Sequence, residues 1–354
     1  MDAIRKRYRS LGLPNKRDNV QSTKFQDDVK SLSEKLYTLL NTAKKRYSIK
    51  ELTDYFNCGV TSIEKAIDML DKQSKNLYIT NQTVEISREI PKAEPTNISK
   101  KHLEGQWFRF GIVSDNHMGS KYERMDVLNA MYDIFEAEGI RVVYNAGNMI
   151  DGDARFNKYD LHKHGLEDQV NYLVEAYPQK KGIETHYITG DDHEGWYTQR
   201  EGVNVGRFIE DRARQQGRTD LKFLGHMEHD VVVKRPHGEC KIRVLHPGGG
   251  SSYAISYTAQ KIVESYTPGE KPDVLIVGHY HKASYNQVRG VHVVQAGCTE
   301  DQTPFMRKKR LDAHVGGWII EMKVSDTGAI IQFKQTWIPF FDKKVYQKDW
   351  KYQW

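Results

Sequence analysis

Apolar residues recur at helical and strand periods in two separate stretches of this 354-residue chain. From about residue 28, Leu32, Leu36, Leu39 and Leu40 fall at three- and four-residue steps, on one helical face. A second short helix is predicted after Ser48, a candidate N-cap, with Ile49, Leu52, Tyr55 and Phe56 apolar. The turn Asn57-Cys58-Gly59-Val60 leads into Thr61-Ser62-Ile63-Glu64, which has capping-box form. The helix it opens carries Ile63, Ala66, Ile67 and Leu70 on one side. Either side of Asn81-Gln82, NLYIT and TVEIS alternate and predict a hairpin. Beyond residue 106 the pattern changes. Apolar strand-like runs (WFRFGIV, IRVVYN, THYIT, KIRVL and DVLIV) recur there and predict a series of strands.

Composition narrows the class. With 38% hydrophobic and 28% charged residues, the chain reads as a globular protein able to bury a large core, at a length that suggests about two domains. No run approaches the roughly 18 apolar residues that span a bilayer, and the basic N-terminus lacks the apolar segment of a secretory signal. No membrane association is expected. Cys58, Cys240 and Cys298 are distant from one another and form no CxxC pair, which suits reduced thiols in a cytoplasm.

Charge is uneven. Residues 1–100 hold 19 Lys/Arg against 13 Asp/Glu, whereas residues 101–354 balance at 34 against 34. The whole formal excess therefore lies at the N-terminal end, which points to an anionic partner, nucleic acid before membrane. Residues 1–27, with Arg5, Lys6, Arg7, Arg9, Lys16 and Arg17 around Gly12 and Pro14, are expected to be a flexible basic arm.

Three helices with a short glycine-containing turn, followed by a two-stranded wing, resemble a winged helix-turn-helix domain over residues 28–90. The resemblance makes the helix from Thr61 to about Gln73 a recognition helix, with Lys65, Lys72 and Lys75 toward a DNA duplex and Ser62 near bases or phosphates. A protein-docking use of the same domain is the alternative. Residues 91–105, polar with two prolines, read as a linker to a domain spanning 106–354.

That second region carries the chemistry. Its strands run in order into Asp115-Asn116-His117, then Gly147-Asn148-Met149-Ile150-Asp151, then Gly190-Asp191-Asp192-His193-Glu194. Two more lead to His246-Pro247-Gly248 and to Gly278-His279-Tyr280-His281. One histidine at a strand end means little; five metal-capable clusters at five strand ends point to a common metal site.

The ordered set resembles the calcineurin-like metallophosphoesterase superfamily, whose pattern is DxH, GDxxD, GNH(D/E), H, GHxH. The resemblance covers roughly residues 107–341 and implies a β-sandwich flanked by helices. It makes Asp115, His117 and His281 ligands of one metal and Asp192, His246 and His279 ligands of the other, with Asn148 at the bridging position. His193 matches the residue that protonates the leaving group, and Asp151 matches a carboxylate that orients ligands. Two divalent ions are implied. Mixed His/Asp/Asn ligation without thiolate favours Mn²⁺, with Fe²⁺ or Zn²⁺ as alternatives.

The sequence departs from the pattern twice. Asn148 stands where the family has Asp, and Asp192 stands where it usually has Asn, with Asp191 as an extra neighbour. Either the exchange conserves the charge of the site, Asp191 or Asp192 supplying the carboxylate, or Asn148 is an inactivating change of the kind introduced to trap a substrate. Two lesser signals remain. The run Arg307-Lys308-Lys309-Arg310 is either a solvated face or a contact for a phosphate backbone. The terminal DKKVYQKDWKYQW interleaves lysine with aromatics, as base-stacking segments do.

Together these readings give a dinuclear-metal phosphodiesterase acting on nucleic acid, a DNA nuclease or nicking enzyme of the cytoplasm. The layout resembles phage-encoded phosphoesterases, so the cytoplasm would be that of a host. The alternatives are a phosphomonoesterase or protein phosphatase with a protein-docking N-terminal domain, and a DNA-binding protein with an impaired metal site.

Overall fold

The computed structural model describes residues 16–43, 45–80, 82–250, 252 and 254–340. The chain divides into two compact units, one of residues 1–89 with 200–204, the other of residues 90–199 with 205–354.

In the first unit, α1 (Lys16–Ala43), α2 (Ile49–Phe56) and α3 (Val60–Lys72) accompany three short strands, β1 (Tyr47–Ser48), β2 (Leu77–Thr80) and β3 (Thr83–Ile86). The hairpin forms as its alternation predicts, Thr80 facing Thr83, and β1 joins it in the order β1-β3-β2. Leu36, Leu40, Leu52, Ile63, Ala66, Ile67, Leu70 and Val84 make its core. Burying each of the larger aliphatic side chains contributes about 1.5–3 kcal/mol.

Four expectations are corrected here. The first helix begins at Lys16, so residues 16–27 are helical rather than part of an arm; beyond Pro14 no helix-breaking residue interrupts them. The capping box forms at Ser48 and Glu51, whereas Gly59 caps α3 without a side-chain bond and Thr61 lies inside that helix. Residues 91–105 are not a plain linker: β4 (Thr96–Asn97) pairs in parallel with a strand of the second unit's sheet through Val231 and Val232. The first unit also takes in a distant segment. Gly202 and Asn204 exchange backbone hydrogen bonds with Asn76 and Ser74. Gly202 has φ +60, and a Cβ there would stand 2.1 Å from Ile86, so only glycine fits.

The second unit is an α/β sandwich. One sheet orders its strands β16 (Ile330–Pro339), β15 (Gly316–Val324), β6 (Trp107–Val113), β7 (Val142–Asn145), β8 (Glu184–Thr189) and β9 (Leu221–His226), with β5 (Leu103–Glu104) beside β6. The other orders β13 (Ala283–Val288), β14 (Val291–Ala296), β12 (Val274–Val277), β11 (Gly238–Leu245), β10 (Glu228–Arg235) and β4. Phe108, Phe110, Ile112 and Tyr144 of the first sheet form one core with Ile242, Val244, Ile276 and Val294 of the second. Alternate residues face outward. Val113, Val143 and Tyr187 pack with side chains of α4 (Met125–Ala137), α5 (Gly165–Ala176), α6 (Gly195–Glu201) and α7 (Val205–Gln215). Leu275, Val277 and Val293 pack with Ala259 and Val263 of α8 (Tyr257–Ser265). The period-two pattern of the strands thus feeds two cores at once.

β6, β7 and β8 run parallel, as do β11 and β12, so each set carries its following loops at the same end. Among the described residues no helix is long and apolar enough to cross a membrane.

Candidate metal centre

Those loops bring the five clusters together. Ligand atoms of Asp115, His117 and His281 lie within 4.8 Å of one another, and so do those of Asp192, His246 and His279. Asp115, His117, Asn148 and His246 are almost fully buried. A third set, His117, Asp151 and His193, meets the same distance limit. Asp151 there is occupied in hydrogen bonding: its Oδ1 lies 2.8 Å from His117 Nδ1 and 3.2 Å from His193 Nδ1.

Several donor atoms point at one another in a way that calls for a cation. His117 Nε2 stands 3.1 Å from His281 Nε2, and His281 Nε2 stands 3.5 Å from Asp115 Oδ1. In the second set, His246 Nε2 is 3.4 Å from Asp192 Oδ1 and His279 Nδ1 is 3.1 Å from Asp192 Oδ2. The buried atoms Asn148 Oδ1, Asp192 Oδ1 and His246 Nε2 have no hydrogen-bond partner. Buried polar atoms are rarely left unsatisfied, so these fit divalent metal ions.

Neighbouring groups fix the orientation of the rings. His246 Nδ1 donates to the Ala146 carbonyl at 2.6 Å, which leaves Nε2 to face Asp192. His279 Nε2 donates to the Gly249 carbonyl at 2.6 Å, which makes Nδ1 its ligating atom. The glycine-rich segment after His246 therefore serves as a loop against His279. The glycines that precede the site residues are sterically required. A Cβ on Gly190 would lie 2.6 Å from the His246 ring and 2.8 Å from Asn148 Oδ1; one on Gly147, at φ +100, would lie 2.5 Å from His246 Nδ1.

Backbone strain gathers here too. Among the described non-glycine residues with positive φ are Asp115, His117, Asn148, His193, His279 and His281. Such conformations cost of order 1–3 kcal/mol each and persist where the surroundings over-determine them.

Electrostatics follow the geometry. Burial opposes the charge on His117, yet Glu300, Asp151 and Asp115 raise it to about 10. His246 is likewise raised, to about 9, by its contact with Asp192 against the cost of burial. Burial lowers His281 to about 3. Although burial works against ionisation, the imidazoles around Asp115, Asp151 and Asp192 hold all three carboxyls below their usual range.

The departures from the family pattern become concrete. Asn148 Nδ2 lies 3.4 Å from Asp115 Oδ1 of the first set, while its Oδ1 and the His246 ring of the second both border the space beside Gly190. Asp192 belongs to the second set. Asp191 is exposed, accepts from Gln199 Nε2 and faces His226 Nε2 at 3.8 Å, so it supplies no carboxylate to the site.

Two buried carboxylates have no role assigned from the sequence. Glu194 accepts the backbone N–H groups of Asn148, Met149 and Gly190 at 2.9, 3.0 and 2.8 Å, and burial pushes it up to about 7. It ties two ligand loops together, and its place beside His193 was its sequence signal. Glu300 accepts from Ser120 Oγ at 3.0 Å and lies 3.8 Å from His117 Nε2. Burial likewise raises it to about 7, and no sequence motif marks it.

Of the expected nucleic-acid contacts, Ser62 is half-buried near the start of α3, Lys65 is exposed, and Lys72 is exposed and paired with Asp68 at 2.6 Å. Lys75 does not face outward. It lies 4.1 Å above the Tyr37 ring, and burial lowers its amine. Arg307, Lys308, Lys309 and Arg310 are exposed in and after α9 (Pro304–Lys309). The basic residues before Asn15 and the segment 342–354 lie outside the described residues.

No protein-family model matches the chain, and no curated protein matches it. It is similar to several solved structures. An archaeal phosphodiesterase is 12% identical over 65% of this chain and 100% of its own, with a TM-score of 0.35. Zinc-bound Vps29 from Entamoeba histolytica is 15% identical over 66% of this chain and 99% of its own, with a TM-score of 0.31. A 5'-nucleotidase precursor from Thermus thermophilus is 13% identical over 69% of this chain and 57% of its own, with a TM-score of 0.34.

Proposed function

We propose that the chain is a dinuclear-metal phosphodiesterase acting on nucleic acid, a DNA nuclease or nicking enzyme. One observation carries the reading: two compact ligand sets, Asp115–His117–His281 and Asp192–His246–His279, with Asn148 3.4 Å from Asp115 of the first. When bound, two divalent ions supply Lewis-acid polarisation of the phosphate and an activated water. Mn²⁺ is the favoured ion, with Fe²⁺ or Zn²⁺ as alternatives.

The protein's own groups do the rest. Asp151 accepts from His117 Nδ1 and directs Nε2 toward Asp115 and His281. His193 donates from Nδ1 to the Asp151 carbonyl at 2.8 Å, which leaves Nε2 to hold a proton and give it to the departing oxygen. Asn148 weakens the site, because a neutral amide offers two cations less than a carboxylate would.

The nucleic-acid assignment rests on charge. Residues 1–50 hold 13 Lys/Arg against 5 Asp/Glu, so the N-terminal end suits a phosphate backbone. The winged-helix reading of the first unit would place α3 against DNA, and Arg307–Arg310 would steady the strand near the metals. Three reduced thiols suit a cytoplasm.

A second reading has its own support. Residues 51–100 hold 6 Lys/Arg against 8 Asp/Glu, and Tyr55, Val60, Tyr78 and Ile79 are exposed. That surface suits a protein partner of a phosphatase. Supercoiled plasmid incubated with Mn²⁺ and the chain, or its Asn148→Asp variant, separates the two. Nicking supports the nuclease; activity on a phosphomonoester with intact plasmid supports the phosphatase.

A further inference from the structure

Beside the candidate metal centre the second unit carries a run of aromatic rings that leads outward from His193. Trp196 stacks on His193 with centroids 4.7 Å apart and planes 30° apart. Phe156 meets Trp196 at 5.2 Å, and Phe305 lies 6.5 Å beyond Phe156. The outer two rings are not core: Phe156 is 63% exposed and Phe305 is 54% exposed. Leaving large apolar rings in water is unfavourable unless something covers them.

Both rings are held in place. The neighbour of Phe156, Asn157, is buried, donates to Asp151 Oδ2 at 3.0 Å and accepts from Ala154 N at 2.8 Å. That anchor ties the loop of Phe156 to the carboxylate that orients His117. Phe305 sits in α9 between Thr303, whose Oγ1 accepts from Met306 N, and the buried Met306. Cations flank each ring on its own segment, Arg155 and Lys158 in one and Arg307 to Lys309 in the other, all exposed.

Building on the phosphodiesterase reading, we propose that Phe156 and Phe305 clamp an unpaired nucleobase, so that the substrate is a single strand or an unpaired segment. A base stacked on both faces needs two intervals of about 3.4 Å, or about 6.8 Å between rings. The ring centroids stand 6.5 Å apart, at the far end of direct aromatic contact, so the two rings have only to turn parallel and part slightly to admit a base. The rings are tilted by 43°, which rotation of two exposed side chains removes. Stacking tolerates any base, and the adjoining cations take the phosphates on either side. A base in a closed duplex has no free face to offer.

The test uses the full chain, fluorescence anisotropy, a short oligothymidylate and an abasic strand of the same length. Wild type should bind the base-bearing strand about tenfold tighter. Phe156→Ala and Phe305→Ala should each abolish that preference, leave abasic binding within about twofold, and keep the salt slope, since a ring neutralises no phosphate. Phe156→Trp should retain it. Equal binding of the two strands by wild type, or a preference that survives both alanine variants, would overturn the clamp. Because binding is read without cleavage, an intact preference with no hydrolysis of any diester overturns only the nuclease reading.

Discussion

His117 Nδ1 lies 2.8 Å from Asp151 Oδ1, and this one contact decides which face of the imidazole meets the metal set. Asp151 is itself held by Asn157 and is buried. Removing its charge frees the ring to turn. Asp151→Asn should weaken metal binding by about 10–100-fold, read by titration of the metal-free protein. Unchanged affinity would mean that packing alone sets the ring.

Asn148→Asp should raise hydrolysis of a small diester by at least about tenfold, a barrier lower by about 1.4 kcal/mol. The side chain lies 3.4 Å from Asp115 and borders the same space beside Gly190 as the His246 ring, so a carboxylate there is expected to serve both sets. Equal turnover of the two forms would show that Asp192 already supplies the needed charge.

His193→Ala should lower turnover by about 10²–10⁴-fold while metal content stays at the wild-type level. Its Nδ1 is engaged by the Asp151 carbonyl, and its ring stacks on Trp196. Loss of one metal equivalent on this substitution would make His193 a ligand within the His117–Asp151 set.

Glu194→Gln should destabilise the second unit by about 2–3 kcal/mol and reduce metal retention. The carboxylate serves three backbone donors, whereas an amide has one acceptor oxygen and would turn an N–H group toward another. Thermal unfolding with and without Mn²⁺ measures both effects.

His229 gives a pH dependence away from the candidate metal centre. Burial lowers its imidazole to about 4, helped by Lys92 and His186 and opposed by Asp230. The unfolded chain therefore binds more protons between about pH 6.5 and 4. Stability should be complete above about pH 6.5 and fall by up to about 3 kcal/mol as pH drops toward 4. His229→Gln should flatten that part of the profile. Parallel curves for the two proteins would show that His229 does not drive it.

The strands of the second unit were legible because each alternates between two cores, and the site loops because each carries ligand-type residues at a strand end, three of them after a glycine (Gly147, Gly190 and Gly278). The helices of the first unit were legible from leucine spacing, although its capping box formed one turn-helix earlier, at Ser48 rather than Thr61. Local sequence determines these features through propensity and period.

What it did not determine depends on chain segments that meet only after folding. Lys75 looked like a surface cation until Tyr37 packed beneath it, and Gly202 is held in the first unit by Asn76, at a place where Ile86 leaves no room for a Cβ. Glu300 reaches His117 across 183 residues, and Phe156 meets Phe305 across 149, with no periodicity to announce either. Asp191 and Asp192 are adjacent and chemically identical, yet Asp192 faces His246 and His279 while Asp191 lies exposed against Gln199 and His226. A sequence supplies the donors; only the crossing of two sheets fixes which of them converge, because convergence is a matter of direction rather than of residue type.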